Sequence, residues 1–408
     1  MDFNQLFEGY GSFRENSLSS GRIIQHETAK IIEQIAANKL FRIDLLGTSV
    51  EGRPIHSISF GSGKTKIFAW SQMHGDEATA TAALFDLLNF FASDDSFNEF
   101  RRRLLDNITF HFMPLVNPDG AELFQRENAF NIDINRDALR LESDESKILW
   151  DYANKIEPDF GFNLHDQNSY YTAGRTNNHS TISLLAPPTD YVKSINYTRE
   201  KSMQVILSIY DALSNFIPGQ IARYNDDHEP RAFGDNFTKT GISSILIESG
   251  FQKDDPDKEF VRKLNFIALL SAFRSIAERE FEKKVYTKYF AIPENEQLLF
   301  DLLLRNVILL HAGRKFKIDI GINRKKCWDP ATQNFYYKGT IAELGDLSIF
   351  HGIEEYDFRG YQVSSTIKLA VDEPADFNLK ENIELKVENG FFTELERIKT
   401  ILNERAIG

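Results

Sequence analysis

The chain reads as an α/β domain followed by a small all-β module. Short apolar runs alternate with helix-length segments up to about residue 285, the pattern of a sheet buried between helices. Beyond that point β-like runs follow one another, separated by Gly, Asn and Asp turns, with no long helix before residue 393. Between the two textures, residues 291–296 read as a linker, which divides the chain into residues 1–290 and 291–408.

The elements follow in order. Residues 23–40 alternate apolar and polar positions at helical spacing. Residues 40–46 and 54–60 alternate with the period of a strand, and the two-glycine turn between them makes a hairpin. Residues 67–71 are continuously apolar, as in a central strand, and 79–91 follow as a helix. Residues 108–116 predict another buried strand, ended by the turn chemistry of Asn117-Pro118-Asp119-Gly120. Ser143 is a suitable N-cap for a helix reaching residue 156. Strands are then expected over 160–164, 182–186 and 242–247, and long helices over 192–216 and 257–282. In the last third, β runs are expected at 308–310, 316–322, 335–337, 361–369 and 383–387, and a helix at 393–405.

Composition narrows the function classes. Hydrophobic residues are 42% and charged residues 26%, ordinary for a globular protein. Phenylalanine outnumbers tryptophan 34 to 3, so the cores should be rich in benzyl rings. A formal charge of -13 argues against a nucleic-acid binder, which needs a basic face, yet a few arginines could still hold a small anion. Cys327 is the single cysteine, so neither an intramolecular disulfide nor a cysteine-based zinc site can form. The first residues lack a basic stretch and an apolar stretch, and no apolar run reaches membrane-spanning length. These features together read as a cytoplasmic protein with no membrane partner. The oligomeric state is left open.

The chemistry concentrates at the ends of the apolar runs. Ser71-Gln72-Met73-His74-Gly75-Asp76-Glu77 places a histidine and a glutamate three residues apart, just after a strand and just before a helix. With a second histidine they would hold three of the four positions of a zinc ion and leave one open, which is a catalytic arrangement. His165 ends the strand Phe162-Asn163-Leu164. Glu248 ends the apolar run Ile245-Leu246-Ile247, where an unpaired carboxylate is costly. Asp133-Ile134-Asn135-Arg136 offers an amide and a guanidinium fork that matches a carboxylate. Asp133 could hydrogen-bond the free nitrogen of a metal-bound histidine. Arg126 could stabilise an oxyanion. Singly, each has an ordinary structural reading: a strand-end histidine, a capping or salt-bridged glutamate, a surface turn, a solvated arginine. The ordered set is what points to a site. Of the other histidines, His111 lies in an apolar strand and reads as a satisfied core histidine.

That ordered set resembles the zinc metallocarboxypeptidases, the carboxypeptidase A-like family, and in particular their bacterial branches. The resemblance runs from about residue 22 to 285 and includes Gly47-Thr48-Ser49-Val50-Glu51-Gly52-Arg53-Pro54. It implies a three-layer α/β/α fold with a mixed central sheet. It implies one Zn2+ per chain, held by His74, Glu77 and His165, with Asp133 behind a ligand. Asn135 and Arg136 would bind the substrate's terminal carboxylate, Arg126 would polarise the carbonyl, and Glu248 would activate the metal-bound water as general base. Tyr224 is the nearest candidate by spacing for the tyrosine that closes over substrate, and Arg231 could favour an acidic side chain. The implied function is hydrolysis of a peptide bond at a free C-terminus. Two alternatives stay open: a zinc deacylase or amidase acting on N-acyl amino acids or cell-wall-derived peptides, to which the form His74-Gly75-Asp76-Glu77 is similar, and an inactive binding protein on the same fold. The β module has no counterpart in the family core.

Overall fold

The computed structural model of the chain describes residues 2–365, 369–396 and 398. They form two compact units: residues up to Asn168 with Asn178–Asn295, and Ser169–Asn177 with the segment from Glu296 onward.

In the first unit the helices are α1 (Phe3–Gly9), α2 (Gln25–Ile35), α3 (Thr79–Ala92), α4 (Asn98–Asn107), α5 (Pro118–Leu123), α6 (Asp144–Ile156), α7 (Tyr197–Leu213), α8 (Phe233–Thr240) and α9 (Glu259–Ala277). Its strands are β1 (Arg42–Thr48), β2 (Pro54–Gly61), β3 (Thr65–Ser71), β4 (Ile108–Met113) and β5 (Phe160–Asp166), then, after β6 (Tyr171–Ala173) of the second unit, β7 (Ile182–Leu185), β8 (Ile221–Arg223) and β9 (Ser243–Ser249). They join in one eight-stranded sheet of order β1-β2-β4-β3-β5-β9-β7-β8. The expected hairpin is present, as β1 and β2 pair antiparallel. At the centre β4, β3, β5 and β9 run parallel, so their carboxyl ends lie along one edge. Strand β7 returns antiparallel on β9, which makes the sheet mixed.

Two cores make the three layers. Successive residues of β3 point to opposite faces, as the strand period requires. Ile67 and Ala69 join a core with α3, α7 and α9, whereas Phe68 and Trp70 join one with α6 and α8. Both are rich in phenylalanine. The Phe60 and Phe110 rings stack at 4.9 Å, and Phe273 from α9 meets Phe110 edge-on at 4.9 Å.

Several boundaries differ from expectation for local reasons. Strand β4 stops at Met113 because Pro114 follows. Helix α7 starts at Tyr197, not near 192, because the Asn196 side chain accepts from the Arg199 amide and caps it there. Strand β8 and helix α8 have no clear signature in the sequence; β8 has three residues, and Gly234 and Asn236 weaken the helical pattern of α8.

The strands of the second unit are β6, β10 (Asn295–Gln297), β11 (Leu299–His311), β12 (Arg314–Asp329), β13 (Asn334–Gly345), β14 (His351–Asp357), β15 (Gln362–Ser364), β16 (Phe377–Lys380), β17 (Glu384–Glu388) and β18 (Phe391–Phe392). The runs expected at 308–310, 316–322 and 335–337 are fragments of the long antiparallel ribbon β11-β12-β13. The stretch expected as a linker at 291–296 is not free. It ends in β10, which pairs with β6, so the boundary falls at 295 and not 290, and residues 169–177 group with the later segment. Much of the helix expected at 393–405, and part of the strand expected at 361–369, lies outside the described residues.

Candidate active site

The parallel strands bring the chemistry to one edge. His74 follows β3 directly, and His165 and Glu248 are paired in register on β5 and β9. Side chains from separate segments therefore converge at the carboxyl ends of strands, where open α/β sheets place their sites.

Three sequence motifs stack to hold the His74 turn. Gln72 has a positive φ of 50°, and its side-chain amide donates to the Gly75 carbonyl at 2.9 Å. A Cβ on Gly75 would lie 2.0 Å from the Gly120 backbone, so only glycine fits there. Asn117 donates its backbone N–H to the Gln72 carbonyl at 3.0 Å and its side-chain amide to the Met73 carbonyl at 3.2 Å. Asp119, fully buried, accepts from Ser49 Oγ at 2.7 Å, from the Glu51 amide at 3.0 Å and from Arg53 Nη1 at 2.6 Å. Residues 47–54 thus grip residues 117–120, which back the His74 loop.

At the edge, His74 Nδ1 lies 2.7 Å from Glu77 Oε1, and His165 Nδ1 lies 2.7 Å from Glu77 Oε2. The two Nδ1 atoms are 3.1 Å apart, and one donor atom from each residue lies within 4.8 Å of the others. Behind His74, Nε2 is 3.1 Å from Asp133 Oδ1. The Arg126 guanidinium donates through Nε to Asp133 Oδ2 at 2.9 Å, and its Nη1 lies 3.0 Å from His74 Nδ1. A guanidinium can only donate. In the neutral imidazole, a proton on Nε2 facing Asp133 leaves the Nδ1 lone pair turned toward Glu77 and His165. Two imidazole lone pairs and a carboxylate oxygen aimed at one point are the donor set of zinc. The residues present fit the ion. Burial alone would lower the His74 pKa, but the Glu77 charge and the Asp133 hydrogen bond raise it to about 9, so a metal binding there must displace a proton.

Glu248 is buried on β9. Burial first, and then the charge of Glu77, push its carboxyl up to about 8, while Lys258 works against them. Lys258 Nζ donates to the Ser249 carbonyl at 2.8 Å, the Gln167 carbonyl at 3.1 Å and Asp166 Oδ2 at 3.2 Å. It ties the ends of β5 and β9 together from behind. Asp76 sits half-buried beside the group, and burial raises its pKa to about 6.

The Asp133–Arg136 stretch is a turn of 3-10 helix capped by the Asp133 side chain, which accepts from the Asn135 amide. Asn135 Oδ1 accepts from the Phe233 amide at 3.0 Å, and its Nδ2 lies 3.3 Å from His165 Nε2. Arg136 is half-exposed. It donates to the Asn135 carbonyl at 2.8 Å, and its Nε lies 3.3 Å from Glu229 Oε2. Arg231 is bound on both its Nε and Nη2 by Glu229, at 2.9 and 2.8 Å, so its charge is already matched within the chain. Tyr224 follows β8, and its backbone N–H donates to the Leu184 carbonyl at 2.9 Å. None of the hydrogen bonds around His74 just described runs through it.

The model of one protein family, described as zinc carboxypeptidase, matches residues 29–240, just over half of the 408-residue chain. The chain belongs to the zinc carboxypeptidase family.

Among curated relatives of this zinc carboxypeptidase family member is carboxypeptidase SOL1 of Arabidopsis thaliana, 28% identical over 144 residues, 31% of this chain and 29% of the relative. Mouse carboxypeptidase M is 28% identical over 123 residues, 26% of this chain and 28% of the relative. The chain thus spans less than a third of the length of these relatives. Two solved structures share the fold. One is a metallo-carboxypeptidase from Burkholderia cenocepacia, with a TM-score of 0.53 at 19% identity over 64% of this chain and 70% of that one. The other is a metallo-carboxypeptidase from Pseudomonas aeruginosa in complex with (2-guanidinoethylmercapto)succinic acid, with a TM-score of 0.51 at 17% identity over 63% and 70%. The matched stretch, 29–240, contains His74, Glu77, Arg126, Asp133, Asn135, Arg136, His165 and Tyr224; Glu248 lies beyond its end.

Two residues of this site carry no signal in the sequence. Lys258 sits in the charged run Lys253-Asp254-Asp255-Pro256-Asp257-Lys258-Glu259, where nothing singles it out. Glu229 is one acid in the polar stretch before Pro230. His111, by contrast, lies with Nδ1 2.9 Å from Tyr152 Oη, and burial lowers its pKa to about 4. No helix among the described residues is long and apolar enough to cross a membrane.

Proposed function

We propose that this family member hydrolyses peptide bonds at a free C-terminus. The observation that carries the reading is the convergence of His74 Nδ1, His165 Nδ1 and a Glu77 oxygen within 4.8 Å of one another, in the same unit as the half-exposed guanidinium of Arg136. Zinc held there by His74, Glu77 and His165 would act as the Lewis acid that polarises the scissile carbonyl and makes water acidic.

The chain's own groups do the rest. Glu248, a buried carboxylate with a raised pKa, takes the attacking water's proton and passes it to the leaving amine. Arg126, fixed by Asp133, faces the developing oxyanion. Asp133 also holds His74 in the tautomer that presents Nδ1. Arg136, with Asn135 beside it, anchors the terminal carboxylate, which restricts cleavage to chain ends. Tyr224 is the candidate for closing over the bound residue.

The test is a panel of N-acylated dipeptides with free C-termini, the same peptides as C-terminal amides, and N-acyl amino acids. Free-acid dipeptides should be cleaved fastest. Equal cleavage of the amides would remove the carboxylate anchor from the account. The preparation should hold about one zinc per chain, and His165→Ala should lose it together with activity.

A further inference from the structure

The arginine assigned to the substrate carboxylate already has a carboxylate beside it. Glu229 Oε2 lies 3.3 Å from Arg136 Nε, and the Arg136 Nη1 donor to the Asn135 carbonyl uses another N–H. A guanidinium carries five such donors, so the others remain for an incoming anion.

Glu229 is not a wandering surface acid. Its amide donates to Asp235 Oδ1 at 3.1 Å, and its carbonyl accepts from the Ala232 amide at 2.9 Å. Arg231 grips its two oxygens through Nε and Nη2, and the Arg231 backbone amide adds a third bond at 3.1 Å. The Arg231 carbonyl accepts from the Ala138 amide at 3.1 Å, which ties this turn to the segment carrying Arg136. The contact with Arg136 is single and long by comparison.

The chemistry of that contact is the chemistry of the substrate's own terminus. A carboxylate next to a guanidinium gains most when both oxygens engage it. Glu229 engages both oxygens with Arg231 instead. We propose that Glu229 is an internal carboxylate that competes for Arg136, and that Arg231 is the residue that holds it off. The pair then sets the affinity for carboxylate-terminated substrates without touching the reacting atoms. This rests on the reading of Arg136 as the terminal-carboxylate anchor.

The loss of Arg231 should therefore weaken substrate binding only while Glu229 is present. Arg231→Ala frees Glu229 to close on Arg136 and should raise KM for an N-acylated free-acid dipeptide about tenfold, with kcat within about twofold. Glu229→Gln should leave KM unchanged or lower it. The double variant should return KM to that of Glu229→Gln alone, and an electrostatic rescue of this kind is not what a folding defect produces. Thermal midpoint and zinc content of each variant check that the fold is kept. An unchanged KM in Arg231→Ala, or a raised KM that persists in the double variant, overturns the proposal. If the wild type cleaves no free-acid peptide, the functional reading is what fails. Equilibrium binding of an N-acyl amino acid then decides the proposal: a tenfold weakening in Arg231→Ala, restored by Glu229→Gln, supports it, and equal affinities overturn it.

Discussion

The edge that carries His74, Glu77 and His165 and the segment from Tyr224 to Asp235 are built differently. At the edge, strand register and close backbone approach set the positions, and the side chains of Gln72, Asn117 and Asp119 back the His74 turn. Parallel register puts His165 opposite Glu248, and Gly75 lies directly on the Gly120 backbone. The 224–235 segment is held largely by side-chain charges. Asp226 pairs with Arg199 at 2.7 Å and Lys193 at 2.8 Å. Asp235 takes both His228 Nδ1, at 2.9 Å, and the Glu229 amide, at 3.1 Å. A site that performs chemistry needs positions fixed to fractions of an ångström, which strand register provides.

That difference can be broken at either side. The largest effect is expected at Glu248. Glu248→Gln keeps the size and removes the base, so kcat should fall by roughly two to four orders of magnitude while zinc content stays at wild type. Metal analysis alongside kinetics checks it, and near-normal turnover would remove Glu248 from the mechanism. Next comes Asp119, which touches no reacting atom. Asp119→Ala strips the buried partner of Ser49, Arg53 and the Glu51 amide, and should cost about 3 kcal/mol of stability. Chemical denaturation measures that loss, and weaker zinc retention should accompany it because the His74 turn loses its backing. The smallest effect belongs to the ion-paired segment. Asp226→Asn leaves the buried Arg199 guanidinium with a weaker partner and should raise KM about threefold, with kcat and zinc unchanged. A fall in kcat matching that of Glu248→Gln would erase the distinction between the two regions.

Legibility followed the same division. His74, Glu77, His165 and Glu248 could be read because each ends or follows an apolar run, and the parallel sheet turns such ends into neighbours. Residues 47–54 and 117–120 stood out as motifs, yet their work is structural: Ser49, Arg53 and Asp119 support the turn that carries His74. Glu229 and Lys258 are not legible in the sequence because the contacts that bring them to the site, with Arg136 for Glu229 and with Asp166 and Gln167 for Lys258, join segments far apart in the chain. Arg231 was read as a possible substrate contact, whereas Glu229 two residues away already occupies it. In the last third, short apolar stretches were legible but the long ribbon β11-β12-β13 was not, because polar residues such as Arg324 and Lys325 continue the strands beyond their buried portions.

By itself, then, the sequence determined the alternation that makes a buried α/β sheet, the all-β texture after about residue 290, and the residue types that can hold zinc. Those properties follow from periodicity and donor chemistry, which are local. Only the tertiary structure decided that Nδ1 of both histidines faces Glu77, that Arg126 and His74 share Asp133, that residues 169–177 group with the second unit, and that Arg136 stands beside a carboxylate of its own chain. Each depends on through-space contact between segments far apart in sequence, where angles and distances of a few ångströms decide which charge meets which.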